Sequence, residues 1–167
     1  VAVATDGSTH CQQAVDMAVL LSDRFGAQLS LLVSARGREG TAHAQQVMED
    51  AVAQVADVTP KPETVPLVGF PDEEVLHYTA EHPVDLLVMG AFHDRGASTS
   101  SAIGPTAQRV VQHAPASVLM VKGRHRTVSS ILACIAVDDD VTVDVAAQLA
   151  RAFDAPLKLL HVVPTAA

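Results

Sequence analysis

The sequence predicts an α/β fold: a three-layer, open twisted sheet of five parallel strands with helices on both faces. Two observations carry this. Apolar runs short enough for buried strands alternate with segments whose apolar residues keep helical spacing, and the connections between them are short. The composition agrees: 49% of the 167 residues are hydrophobic but only 3% are aromatic, so Ala and Val stock the interior, as suits helices packed closely on a parallel sheet.

The elements follow in order. Val1 to Thr5 is an apolar strand stopped by Asp6-Gly7-Ser8. From Gln13, the residues Ala14, Met17, Ala18, Leu21 and Phe25 keep helical spacing, and Gly26 ends the helix. Leu29 to Val33 reads as a second buried strand, and Val47, Met48, Ala51, Val52 and Val55 as the next helical stripe. Thr64 to Val68 is a third strand whose Pro66 cannot donate to a central ladder, which predicts a sheet edge. Pro71 and the acids 72–74 suit a helix start, with Val75, Leu76, Thr79 and Ala80 inward and His82-Pro83 at its end. Leu86 to Met89 is an apolar strand closed by Gly90. Gly104-Pro105 opens a helix with Ala107, Val110, Val111 and Ala114 inward, and Val118 to Val121 is the fifth strand.

After "GRHRTVSS", a basic and polar hinge at 123–130, the cycle restarts: strand Ile131–Val137, helix Val143–Phe153, strand Leu157–Val162. Helix ends and following strands superpose on the first copy at an offset of 128, Phe25 with Phe153 and Leu29 with Leu157. The acidic turns superpose at 132, Asp6 with Asp138, so the second helix is expected about one turn shorter. The division expected is 1–122 as one complete domain and 131–167 as a partial second unit.

Composition also limits function. The formal net charge of −8 opposes nucleic acid and offers no basic face to anionic lipid. No apolar run approaches the roughly 20 residues of a membrane helix, and the chain opens directly in a strand, so a cytoplasmic protein is expected. Two cysteines, Cys11 and Cys134, are too few for a disulfide scaffold, and Cys134 in its apolar run reads as a small buried hydrophobe. Among the eight histidines, His10 and His93 with Cys11 are the one trio that could converge on zinc. Adjacent positions 10 and 11 on a helix do not aim readily at one ion. His113 suits a helix end, and His43, His77 and His82 read as surface residues. Asp138, Asp139, Asp140 and Asp144 would repel phosphate and lack the glycine and glutamate of a calcium loop, so they read as an acidic helix start.

The strand into "TDGSTHCQQA", the run "DLLVMG" and then "GPTAQRVVQHAPASVLMVK", in this order, resemble the universal stress protein family over residues 1–122. The second copy resembles the opening of another such domain, as in tandem-domain members. The resemblance implies a Rossmann-like, adenine nucleotide alpha hydrolase-like fold with the strand order 3-2-1-4-5, pairing into a homodimer or intrachain pseudo-dimer through residues 118–121, and in nucleotide-binding members a site for ATP. It places Asp6, with Gly7 and Ser8, near base and ribose, Val33 beside the base, and the loop from Gly90 to Thr106 at the phosphates, with Mg²⁺ at most accompanying the nucleotide. The carboxyl ends of a doubly wound sheet and the helix start after Gly104 point independently to the same edge.

This loop departs from the binding pattern. His93 stands where a second glycine belongs, ten residues rather than nine separate it from Gly104, and Pro105 replaces the following hydroxyl, with Thr106 next. Histidine fills space that backbone and phosphate would share, and proline offers neither N–H nor hydroxyl. Against that, Arg95, His93 itself, Gly96 and the hydroxyls of "STSS" can supply replacement donors. Two readings therefore stand: a nucleotide-responsive module, or a non-binding interaction protein in which Asp6 only caps a helix and Gly90 only turns the chain. No nucleophile elbow, carboxylate pair or lysine-bearing phosphate loop is legible, so no enzyme is expected beyond slow ATP hydrolysis.

Overall fold

In the computed structural model, the described residues are 1–34, 41–91, 103–123 and 127–162, with backbone alone for 41–44. They form two compact units, Val1–His125 and Arg126–Ala167. In the first, the elements run β1 (Ala2–Thr5), α1 (Thr9–Phe25), β2 (Ser30–Ser34), α2 (Thr41–Gln54), β3 (Glu63–Leu67), α3 (Pro71–Glu81), β4 (Leu86–Gly90), α4 (Pro105–His113) and β5 (Ser117–Val121). All strands pair in parallel in the order β3-β2-β1-β4-β5. The expected five-stranded sheet and its order are thus present, with Pro66 on the edge strand.

Strand residues alternate between two buried faces. Ala2, Leu32, Leu87 and Met89 share a cluster with Val75 and Tyr78 of α3 and Ala107 and Val110 of α4. The opposite-facing Val3, Leu31 and Val88 are equally sealed at 0% exposure. Their cover is α1, whose buried stripe is Ala14, Val15, Met17, Ala18 and Leu21, together with Val47, Ala51 and Val55 from α2 and its end. Gln54 of α2 donates to the Gln12 carbonyl (2.9 Å) and to Asp16 (2.8 Å), tying the two helices together.

Several expected inward positions differ. Phe25 is 43% exposed because α1 ends on Gly26 in the left-handed conformation, which carries the last turn past the sheet. In α3, Ala80 is exposed and Leu76 half-buried, while Tyr78 takes the core position and stacks its ring on His82 at 4.1 Å. Val111 is 45% exposed, since nine residues of α4 offer only the Ala107–Val110 stripe to the sheet. Val68 lies past the end of β3 and is exposed.

The second unit contains β6 (Ile131–Ile135), α5 (Asp140–Phe153) and β7 (Leu157–His161), the two strands parallel. Ala133, Ala146 and Phe153 are buried between sheet and helix. The other sheet face carries Leu132 (61% exposed), Leu160 and Cys134. The expectation of a buried Cys134 is therefore overturned: one helix covers one face of a two-stranded sheet, and Cys134 points to the other.

The ends of α1 and α5 repeat one hydrogen-bond pattern. Gly26 and Ala27 donate to the carbonyls of Asp23 and Ser22; Asp154 and Ala155 donate to those of Arg151 and Ala150. The helix starts also correspond, with Ser8 capping the Cys11 amide and Asp139 that of Thr142. This corrects the pairing of Asp6 with Asp138, because the cap equivalent to Ser8 is Asp139. The helices have 17 and 14 residues, so α5 is shorter by nearly a turn.

Candidate functional site

All five strands of the first unit point their carboxyl ends to one edge, where the β1–α1 turn, the end of β2, the end of β4 and the start of α4 meet. There Thr5 of β1 lies opposite Val33 of β2, and Gly90 of β4 opposite Val121 of β5. The segment between β4 and α4 has a hydrogen-bonded stem. The Ala91 amide donates to the Val121 carbonyl, and the Gly104 amide donates to the Ala91 carbonyl, both at 3.0 Å. Asp6, Gly7, Ser8, Val33, Gly90, Gly104 and Thr106 thus share this edge. His93 and Arg95, and with them any trio of His10, Cys11 and His93, lie outside the described residues, as does the side chain of His43.

The β1–α1 turn satisfies three of its own amides. Gly7 N–H donates to Thr5 Oγ1 (3.2 Å), Ser8 N–H to Asp6 Oδ1 (3.0 Å) and Cys11 N–H to Ser8 Oγ (3.4 Å). Helix starts attract anions through amides that lack partners. In this turn those three amides already have partners, so Asp6 and Ser8 serve the chain's own backbone. Gly7 holds φ at +77°, a left-handed value that favours glycine, and a Cβ there would sit 3.1 Å from a methyl of Val47. Val33 is 3% exposed, its side chain packed by protein.

The start of α4 is different. Its N-cap Gly104 has no side chain to accept from the first turn, Pro105 occupies the first helical position, and no acid lies in that turn. The amides after Pro105 and the half-buried Thr106 are a donor set suited to an anion.

Cys11 lies on the first turn of α1. Burial first, and then the nearby Asp6 carboxylate, pushes its thiol up to about 11, so it is neutral at physiological pH. Sequence reading named this thiol only as part of a trio with His10 and His93, and missed Val47 as a neighbour of the turn. The signal for Val47 was its place in an apolar helical stripe.

Elsewhere the acidic start of α5 is a cap. Asp139 accepts the Thr142 and Ala136 amides, and the Thr142 bond holds its carboxyl below the usual value. Among the described residues, no group of three or more His, Cys, Asp or Glu could hold a metal ion. His77 pairs with Glu81 on the surface, exposed His82 hydrogen-bonds the Tyr78 carbonyl through Nδ1, and His113 ends α4. No described helix is long and apolar enough to cross a membrane.

No curated protein matches the chain. Among solved structures, the universal stress protein UspA from Lactobacillus plantarum is 27% identical with a TM-score of 0.62, covering 73% of this chain and 97% of its own. The universal stress protein from Archaeoglobus fulgidus in complex with dAMP is 19% identical, TM-score 0.58, covering 72% and 95%. A putative universal stress protein from Pseudomonas aeruginosa is 19% identical with a TM-score of 0.75. It covers 99% of this chain, which spans 61% of the length of that protein. The family model described as "Universal stress protein family" matches residues 1–122, which hold the whole five-stranded sheet. On that match, the chain belongs to the universal stress protein family.

Proposed function

We propose that this protein is a non-enzymatic stress-response protein in which ATP binding is weak or lost, acting through dimer or pseudo-dimer association. One observation carries the reading on nucleotide: the amides of Gly7, Ser8 and Cys11 are already bonded to Thr5, Asp6 and Ser8. Histidine at 93 and proline at 105 remove two further contacts from the loop. At roughly 1–3 kcal/mol each, two lost contacts turn micromolar affinity into something nearer millimolar. Isothermal titration with ATP tests this: a dissociation constant above about 100 µM is expected, and one below about 10 µM overturns it.

A second reading, an adenine-nucleotide-responsive regulatory module, is favoured by the uncapped start of α4 with Thr106 beside it. The dAMP complex of the Archaeoglobus fulgidus protein gives it a precedent on the same fold. One helix start suits a single phosphate better than three. Melting with AMP and ATP in parallel separates the readings, because a ligand of the native state must raise the transition. If Asp6 anchors base and ribose, Asp6→Ala abolishes that rise.

The chain is also proposed to be of the tandem type, with 131–167 as the opening of a second repeat after a hinge at 123–130. The repeated helix-end hydrogen bonds support this, as does a match of nearly the whole chain to the longer Pseudomonas aeruginosa protein. Association is assigned to residues 118–121 of β5, an edge strand of the sheet, and no nucleic-acid or membrane partner is proposed.

A further inference from the structure

We propose that Gly90 is a positioning residue: the space left by its missing side chain seats the first turn of α1, and so sets where Asp6 and Ser8 stand. Gly90 is buried at the end of β4 and is not among the glycines at positive φ, so its backbone does not demand glycine. What demands it is space. A Cβ at this position would lie 3.0 Å from the His10 carbonyl oxygen, 3.1 Å from its carbon and 3.3 Å from the Cys11 amide nitrogen. These are backbone atoms of a helix, which cannot swing aside as a side-chain end would.

The same turn is pressed from another side by Val47 against Gly7. Between the two contacts lies Ser8, which caps Cys11, and just before them Asp6, which holds Ser8. A methyl at 90 therefore has one relief: α1 lifts from β4 at its first turn, and the hydrogen-bonded turn goes with it. The glycine that resembles a phosphate contact is consumed by the protein's own packing. This inference concerns the site of the proposed nucleotide reading but holds without any nucleotide.

Cys11 reports on that seat. The test uses the full chain with Cys134→Ser, so that Cys11 is the only thiol, and follows its alkylation by iodoacetamide across pH without nucleotide. Leu87→Val is the control, since Leu87 packs in the α3 and α4 cluster on the other face. At matched margins below their melting temperatures, Gly90→Ala should alkylate at least about tenfold faster at pH 8, with its thiol titrating about a unit lower; Leu87→Val should stay within about twofold of the parent. A folded Gly90→Ala chain with the parent rate overturns the proposal, as does an equal rise in Leu87→Val. Should Gly90→Ala unfold in buffer, the measurement is repeated in trimethylamine N-oxide, which strengthens burial. Failure to fold even there also supports the seat, because a glycine kept only for ligand approach tolerates a methyl when no ligand is present. Every arm lacks nucleotide, so failure of the weak-binding reading leaves this result untouched.

Discussion

Ser8 Oγ accepts the Cys11 amide at the start of a 17-residue helix, and removing that oxygen leaves the amide to water or to nothing. Ser8→Ala should cost about 1 kcal/mol in urea unfolding, the usual worth of a serine cap. Cys11 makes a prediction in pH. Its thiol titrates at about 11 in the fold against 9.0 unfolded, so the folded state favours the protonated form. That contribution is whole below pH 9 and is lost as pH rises towards 11; urea midpoints should fall across this window, and Cys11→Ala should remove that part of the fall. Sequence named Asp6 as the helix cap, whereas the structure gives that place to Ser8, whose amide Asp6 holds. Sequence left Cys11 opaque, since burial at a helix start depends on what the end of β4 leaves open.

α1 and the α3–α4 pair hold the sheet by different means. Leu21 is 1% exposed beneath α1, and Leu21→Ala should cost about 2–5 kcal/mol through lost burial and a residual cavity. Arg109 of α4 bonds Asp72 at 2.8 Å and Glu73 at 3.5 Å on α3, but its side chain is 51% exposed. Arg109→Ala should therefore cost under about 1 kcal/mol, with salt reducing the difference further. Denaturant curves on both variants check the contrast. Strands and helices were legible here because the three central strands β1, β2 and β4 are mostly buried and carry apolar runs, while the strand order followed from the family resemblance. The inward faces of the helices were less so. Tyr78 enters the core with its ring while Ala80 stays out, and a stripe counted on apolar residues ranks them the other way.

The two units differ in how much of their sheet is covered. Val3 and Leu31 are sealed in the first, whereas Leu132 and Leu160 face outward in the second. Cys134 was misread for this reason: an apolar strand run announces burial, and only the number of covering layers decides whether burial is delivered. If β5 and the open face of the second unit drive association, the full chain should scatter light as a dimer or as a compact pseudo-dimer. Truncation after Lys122 should then lower solubility or the melting temperature. A monomer whose truncated form is equally soluble and stable would make the second unit a passive remnant. Of the candidate site, the edge was legible from the order of strands and from Asp6-Gly7-Ser8. The use of its amides was not, because hydrogen bonds within a turn follow from rotamers and not from residue types.

The bond from the Gly104 amide to the Ala91 carbonyl works like a clasp on a purse: it fixes the mouth whatever length of chain runs between. Closing a longer loop costs little, about 0.6 kcal/mol for each doubling of its length. A residue more or fewer between the two ends is therefore nearly invisible to stability while altering what a ligand meets. Inserting one or two glycines between Ala91 and Gly104 should move the melting temperature by no more than about 3 °C. Selection on ligand and selection on fold can then act on separate stretches of one chain, and a lineage can shed or regain a ligand without refounding its sheet.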